Sequence, residues 1–181
     1  MARGMFLDRD GVINEVLSDR VKFVNKPKDL FLLEGVGEAI QTFNTLGFKV
    51  FIVTNQGGIG LGYMKEVELG KIHKALADEL GRWGARIDDI AYCPHKPKAG
   101  CACRKPKPKM ITDLAERHGV DLAQSWMVGD REPDIQAGKA AGTKTILVGS
   151  REEQYGVEAD LTFSSLAAAA EWFVEKEKDR H

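Results

Sequence analysis

Two carboxylates, Asp8 and Asp10, close the apolar run Met5-Phe6-Leu7 with one residue between them, and Gly11 follows directly. Charges this close repel, and the simplest remedy is a hard divalent cation such as Mg2+, which takes oxygen ligands from one or two carboxylates together with water and phosphate oxygens. Other polar groups also stand at the ends of apolar runs. Thr54-Asn55-Gln56-Gly57-Gly58 follows Lys49–Val53, and Asp130, with Asp134 a helical turn later, follows Trp126–Val128. Arg104-Lys105-Pro106 lies between them in the chain. Acids for a cation, a hydroxyl and a lysine for phosphoryl oxygens, and one acid free to attack are the parts that phosphoryl transfer needs, because its catalysis is mostly positioning and charge neutralisation. A carboxylate that attacks first gives an aspartyl phosphate, which water then hydrolyses. The competing reading is a solvated Asp-Arg-Asp-Gly turn with no site behind it, since Asp and Gly are turn residues.

A second ligand set lies in the loop 93–103. Cys93-Pro94-His95 and Cys101-Ala102-Cys103 contain all three cysteines of the chain and one of its four histidines. Three thiolates and an imidazole have the number and softness of a closed structural Zn2+ site. With every position filled by protein, such a zinc holds the loop's shape and activates no water. An odd cysteine count confined to one loop also argues against a secreted disulfide framework. His73, His118 and His181 lack partners at ligand spacing and read as ordinary surface residues.

The elements that must carry these groups alternate. Met5 to the Asp8 end, Lys49–Val53, Ile87–Cys93, Trp126–Val128, Thr145–Val148 and Leu161–Phe163 read as strands. Between them, Val36, Ala39, Ile40, Phe43 and Leu46 recur at helical spacing up to Gly47, as do Leu69, Ile72, Leu76, Leu80 and Trp83. Further helices start near Pro108, stopping at Gly119, and at Pro133, running to about Ala141; a last one spans Leu166–Glu177. With right-handed crossovers this alternation predicts an α/β fold, a doubly wound parallel sheet flanked by helices. In such sheets ligands sit beyond the carboxyl ends of the strands, where all of the acids fall. The stretch from about 12 to 29, with Arg20, Lys22, Lys26 and Lys28, is too polar to be core and reads as a flap over the strand end, its cations a solvated basic loop first and an attractor of an anionic substrate second. The gaps from Asp10 to Thr54 and from Thr54 to Lys105 leave no room for a large cap domain.

Composition narrows the function classes. A chain of 181 residues with ordinary apolar content suffices for one core, so residues 1–181 are expected to form a single domain. A net charge of -1 gives no global pull towards nucleic acid or acidic membranes, and no basic and aromatic strip exists to track a strand. No apolar stretch reaches membrane-spanning length and no signal-peptide pattern precedes the first strand. The expectation is a cytoplasmic monomer whose partner is a small phosphorylated metabolite.

Taken in order, Asp8-Arg9-Asp10-Gly11, Thr54-Asn55-Gln56, Arg104-Lys105-Pro106 and Gly129-Asp130-Arg131-Glu132-Pro133-Asp134 resemble the four motifs of the haloacid dehalogenase-like phosphatases. The cysteine-histidine loop directly ahead of Arg104 is similar to that of the subgroup of heptose-bisphosphate phosphatases and histidinol-phosphate phosphatases. The resemblance implies that Asp8 is the nucleophile and a Mg2+ ligand. Asp10 would protonate the leaving alcohol and then serve as base for water, with its backbone carbonyl meeting the metal. Thr54 and Lys105 would hold phosphoryl oxygens, Asp130 would complete the metal site, and Asp134 would lie in or just behind it. Asn55, Gln56, Arg104 and Arg131 are expected on the substrate, the two guanidinium groups gripping a second anionic group. A sugar bisphosphate, cleaved at the 7-phosphate of the heptose, is the leading substrate and histidinol phosphate the alternative. The different class to be separated from both is a non-catalytic metal-containing binding module or a phosphoacceptor domain.

Overall fold

A strand buried on both faces carries an unbroken apolar run, and Arg3–Leu7 (β1) and Phe48–Asn55 (β2) are built this way. The computed structural model describes residues 1–149 and 158–181. The remaining strands are Asp89–Cys93 (β3), Trp126–Gly129 (β4), Lys144–Val148 (β5) and Leu161–Phe163 (β6). The helices are Val36–Thr45 (α1), Glu66–Gly81 (α2), Lys109–His118 (α3), Glu132–Ala141 (α4) and Leu166–Lys178 (α5). All strands pair in parallel, in the order β3-β2-β1-β4-β5-β6.

Alternate residues of each strand serve opposite cores. Met5, Leu7, Val50, Ile52, Val128 and Ile146 join Val36, Ile40 and Phe43 of α1 and Leu166, Ala169 and Phe173 of α5. Phe6, Phe51, Val53 and Met127 meet Met110, Ile111 and Leu114 of α3 and Ala137 of α4 on the other face. Each of these side chains larger than alanine contributes about 1.5–3 kcal/mol by leaving water. Gly119 (φ 64°) and Gly142 (φ 92°) end α3 and α4 in the left-handed region, where a side chain would be strained.

The strand order places the site. From β1 the chain winds outward through β2 to β3, then returns to the other flank of β1 and winds out through β4, β5 and β6. Connections leaving β1 and β4 therefore diverge, opening a crevice at their carboxyl ends. Asp8 and Asp130 stand on its two lips.

Three sequence expectations need correction. The stretch 12–29 does reach the interior: Val12, Ile13 and Asn14 are buried, and Val21 and Val24 form a small core with Met64, Leu69 and Ile72. Its few apolar residues suffice because a tight turn, Ser18 N–H to Val21 O at 2.8 Å, puts both valines against α2. Within the same stretch, Arg20 pairs with Glu15 at 2.6 Å and lies over the Phe31 ring at 3.9 Å. Trp83 lies beyond the end of α2, 49 % exposed, with its ring over Gly37. β3 starts at Asp89 rather than Ile87, because the side chain of Asp88 accepts the Val50 N–H (2.8 Å). Among the described residues no helix is long and apolar enough to cross a membrane.

Candidate active site

At the end of β1 the Asp8 N–H still donates to Val128 O of β4 (3.0 Å), which fixes where its carboxylate points. Gly11 follows at φ +86°, and a Cβ there would stand 2.2 Å from Asp130 Oδ2. Only glycine lets the chain pass this close to the acid of β4. A Cβ on Gly129 would likewise meet that of Asp134 at 2.0 Å, so the last residue of β4 admits the first turn of α4. Asp134 uses this proximity: Oδ2 accepts the backbone N–H groups of Asp130 and Arg131, each at 3.2 Å, at the positive end of the helix. Its Oδ1 accepts from Lys105 Nζ at 2.7 Å.

Lys105 ties the crevice together. The residue is 4 % exposed, and its ammonium donates to Asp8 Oδ1 (2.8 Å), Asp134 Oδ1 and Val53 O (2.8 Å), using all three of its hydrogens. The backbone of Lys105 is held just as firmly. Asn55 Oδ1 accepts its N–H at 3.0 Å, and Asn55 Nδ2 donates to its carbonyl at 3.2 Å. Burial works against the ammonium, but Asp134 and Asp8 together raise its pKa above the ordinary lysine value.

Ligand oxygens of Asp8, Asp130 and Asp134 lie within 4.8 Å of one another, and all three residues are buried. Burial first, then the Asp134 charge, with Asp130 and Asp10 adding to it, push the Asp8 carboxyl well above the usual carboxylate range against the pull of Lys105. One ammonium does not neutralise such a cluster. Hard oxygen donors, close and surrounded by excess negative charge, fit a divalent cation of the Mg2+ type.

Asp10 faces different company. Oδ1 accepts from Arg9 Nη2 (2.9 Å), Arg9 Nε (3.2 Å) and Asn14 Nδ2 (3.0 Å), and Oδ2 accepts from Gln56 Nε2 (3.2 Å). Burial pushes this carboxyl up, but Arg9 and the bonds from Asn14 and Gln56 outweigh it and hold the carboxyl below its ordinary value. Thr54, 1 % exposed, accepts from the same Gln56 amide at 2.8 Å.

The soft ligands also converge. Sγ of Cys93 lies 2.8 Å from that of Cys103 and 3.6 Å from that of Cys101, and His95 Nδ1 is 3.4 Å from Cys93 and 3.2 Å from Cys103. This Cys3His group could hold a zinc ion. Its loop is docked on the one after β2, with Gln56 N–H to Cys93 O at 2.8 Å and Gly60 N–H to Pro94 O at 2.9 Å. Lys105 follows Cys103 by two residues, so the loop that could hold zinc also delivers the lysine.

Asp8, Asp10, Thr54, Lys105, Asp130 and Asp134 thus share one crevice. Asn55 and Gln56, expected on the substrate, are bonded within the protein: the amide of Asn55 to the Lys105 backbone and Nε2 of Gln56 to Asp10 and Thr54. Arg104 is half-buried, with Nη1 3.4 Å from His95 O, and Arg131 is exposed at the start of α4. Sequence reasoning overlooked Arg9, Asn14 and His73. Arg9 is fully buried, and His73 is no ordinary surface residue but lies with Nε2 3.1 Å from Arg9 Nη1. His118 is also engaged, with Asp89 at 2.7 Å.

This geometry has close counterparts among known proteins. A relative from Pseudomonas putida, D-glycero-beta-D-manno-heptose-1,7-bisphosphate 7-phosphatase, is 37 % identical over 92 % of this chain and 96 % of its own. The chain belongs to the haloacid dehalogenase-like phosphatases. A family model described as HAD-hydrolase-like matches residues 102–169. The 7-phosphatase of the same description from Rhodopseudomonas palustris is 42 % identical over 76 % of this chain and 78 % of that one. A further member of this phosphatase family, the D,D-heptose 1,7-bisphosphate phosphatase of B. bronchiseptica, has a crystal structure as a complex with magnesium and phosphate. It superimposes with a TM-score of 0.88 at 37 % identity, covering 96 % of this chain and 99 % of that one.

Proposed function

We propose that this chain is a Mg2+-dependent phosphatase that removes the 7-phosphate of D-glycero-β-D-manno-heptose 1,7-bisphosphate through an aspartyl phosphate on Asp8. The observation that carries the reading is Lys105 Nζ, held between Asp8 and Asp134 at the crevice where Asp130 also stands. Relatives similar to it in sequence and fold, named above for this sugar bisphosphate, support the choice of substrate.

Asp8 attacks phosphorus while Asp10 gives its proton to the departing alkoxide. Asp10 then takes a proton from water, the resulting hydroxide attacks the aspartyl phosphate, and inorganic phosphate leaves with Asp8 restored. Lys105 and the Thr54 hydroxyl meet the phosphoryl oxygens. Mg2+ would be held by Asp8, Asp130 and the backbone carbonyl of Asp10, with Asp134 supporting them, and when bound it supplies the charge that the phosphoryl oxygens require. Zn2+ in the Cys3His group would shape the 93–103 loop. Arg104 and Arg131 are assigned to the second phosphate, and Asn55 and Gln56 to holding Lys105 and Asp10. The same reading takes residues 1–181 as one catalytic domain with 12–29 as its flap, working as a cytoplasmic monomer.

Phosphate release from the heptose bisphosphate and from histidinol phosphate, with and without Mg2+, tests this. Metal-dependent release from the sugar is expected; a clear preference for histidinol phosphate overturns the substrate, and Mg2+-dependent release that survives Asp8→Asn overturns the covalent route.

A further inference from the structure

Among the described residues Arg9 is the largest fully buried side chain, at 0 % exposure, and no step of the proposed reaction uses it. A buried guanidinium is costly unless its hydrogens are engaged. Here Nε and Nη2 donate to Asp10 Oδ1, and Nη1 lies 3.1 Å from His73 Nε2. Guanidinium nitrogens only donate, so His73 Nε2 must accept and the ring must be neutral, with its proton on Nδ1. His73 belongs to α2, so a helix distant in sequence holds the arginine that holds the acid.

The consequence lies in the two oxygens of Asp10. Oδ1 takes three donors, two from Arg9 and one from Asn14. Asn14 Nδ2 also donates to Glu15 O (3.0 Å), which fixes the orientation of the amide even though its buried Oδ1 finds no protein partner among the described residues. Leaving a buried acceptor without a protein donor is a penalty of the kind found where position matters more than stability. Among the described residues Oδ2 has one donor, Gln56 Nε2, itself anchored on Thr54. The carboxylate is therefore clamped by three donors at one oxygen and met by a single amide at the other.

We propose that Arg9 and His73 are a positioning pair for the phosphatase reaction: they turn Asp10 so that Oδ2 alone delivers the proton to the leaving alkoxide and later accepts one from water. This rests on the assignment of Asp10 as acid and base under the proposed function. Neither residue touches substrate. His73 also neighbours Leu69 and Ile72 of α2, which pack on Val21 and Val24, so the pair links Asp10 to the segment beside the crevice.

The test compares two esters. A sugar phosphate has a poor leaving group that needs a proton, whereas p-nitrophenyl phosphate releases a stabilised phenolate that needs little help. His73→Leu removes the acceptor for Arg9. It is expected to lower kcat on the sugar ester about tenfold or more, a fraction of what general acid catalysis contributes, with KM changed less than about twofold and little loss on the aryl ester. His73→Gln, whose amide oxygen can accept from Arg9, should recover most of the rate. Arg9→Lys, which keeps the charge but not the fork, should reproduce the selective loss and serves if the leucine variant does not fold. Equal losses on both esters, a loss confined to KM, or a glutamine variant no better than leucine would overturn the pair and leave the phosphatase reading standing. Absence of Mg2+-dependent release from either ester by the unaltered chain would overturn the phosphatase reading and this inference with it.

Discussion

Asp8 and Asp10 are separated by one residue but belong to two differently built halves of the crevice. Asp8 lies among other acids, Asp130 and Asp134, with Lys105 between two of them. Asp10 lies among donors, Arg9, Asn14 and Gln56. The first carboxyl is pushed well up by burial and then by Asp134; burial also pushes on the second, but Arg9 prevails and holds it below its ordinary value. Environments that drive neighbouring acids apart divide the labour between them. The acid-rich half suits a cation and a nucleophile, and the donor-rich half suits a carboxylate that must keep one orientation while a proton comes and goes. The halves also draw on different parts of the chain: β4, α4 and the cysteine-histidine loop serve Asp8, whereas α2 and the residues just after β1 serve Asp10.

The most severe way to break this contrast is Asp8→Asn, which removes the charge of the proposed nucleophile. A fall in kcat of about 10^4-fold or more is expected, as for other lost nucleophiles, with the fold retained by circular dichroism. Lys105→Met comes next. It leaves Asp8 and Asp134 without their shared cation, and breaking a buried pair from one side costs about 3–5 kcal/mol, which lowers Tm by roughly 6–20 °C in a chain of this size. Calorimetry should show this loss, and it should shrink in Mg2+. Cys103→Ser acts on the same half from a distance. Zinc content should fall, stability should drop by about 2–3 kcal/mol, and kcat should decline about tenfold as Lys105 loosens, measurable by metal analysis, urea unfolding and phosphate release.

The two halves were not equally legible in the sequence. Asp8, Lys105, Asp130 and Asp134 each stand at the end of an apolar run or beside a proline, and parallel strands buried on both faces make those runs conspicuous. The helices declared themselves through apolar spacing and through the stops at Gly47 and Gly119. Strand order was not legible, because whether β4 or another strand joins β1 depends on side chains meeting across the sheet. The Asp10 half was harder still. Arg9 has the look of a turn residue, and His73 sits 64 positions away on a helix whose pattern treats it as surface. Asn55 and Gln56 carry the right chemistry for a substrate, yet residue type alone does not reveal that their amides are already taken. Val21 and Val24 were hidden by the polar residues around them.

The smallest expected effect sharpens the Asp10 half by pH. Burial first, then the Arg9 charge, brings His73 down from 6.5 to about 4, against the pull of Asp10. The groups facing it are Arg9, Asp10 and the Tyr92 ring, 6.3 Å away. Above pH 6.5 the imidazole is neutral whether the chain is folded or not, and its contribution to stability is complete. As the pH falls from 6.5 towards 4, the unfolded chain binds a proton that the folded one refuses, so stability drains away through that window. Because His73 is only partly shielded, about 1 kcal/mol is expected between pH 7 and pH 5 rather than the full amount its shift implies. Urea midpoints of the unaltered protein and of His73→Gln at the two pH values measure it. The unaltered chain should lose more than the variant; parallel losses would show that the imidazole is not held neutral by Arg9.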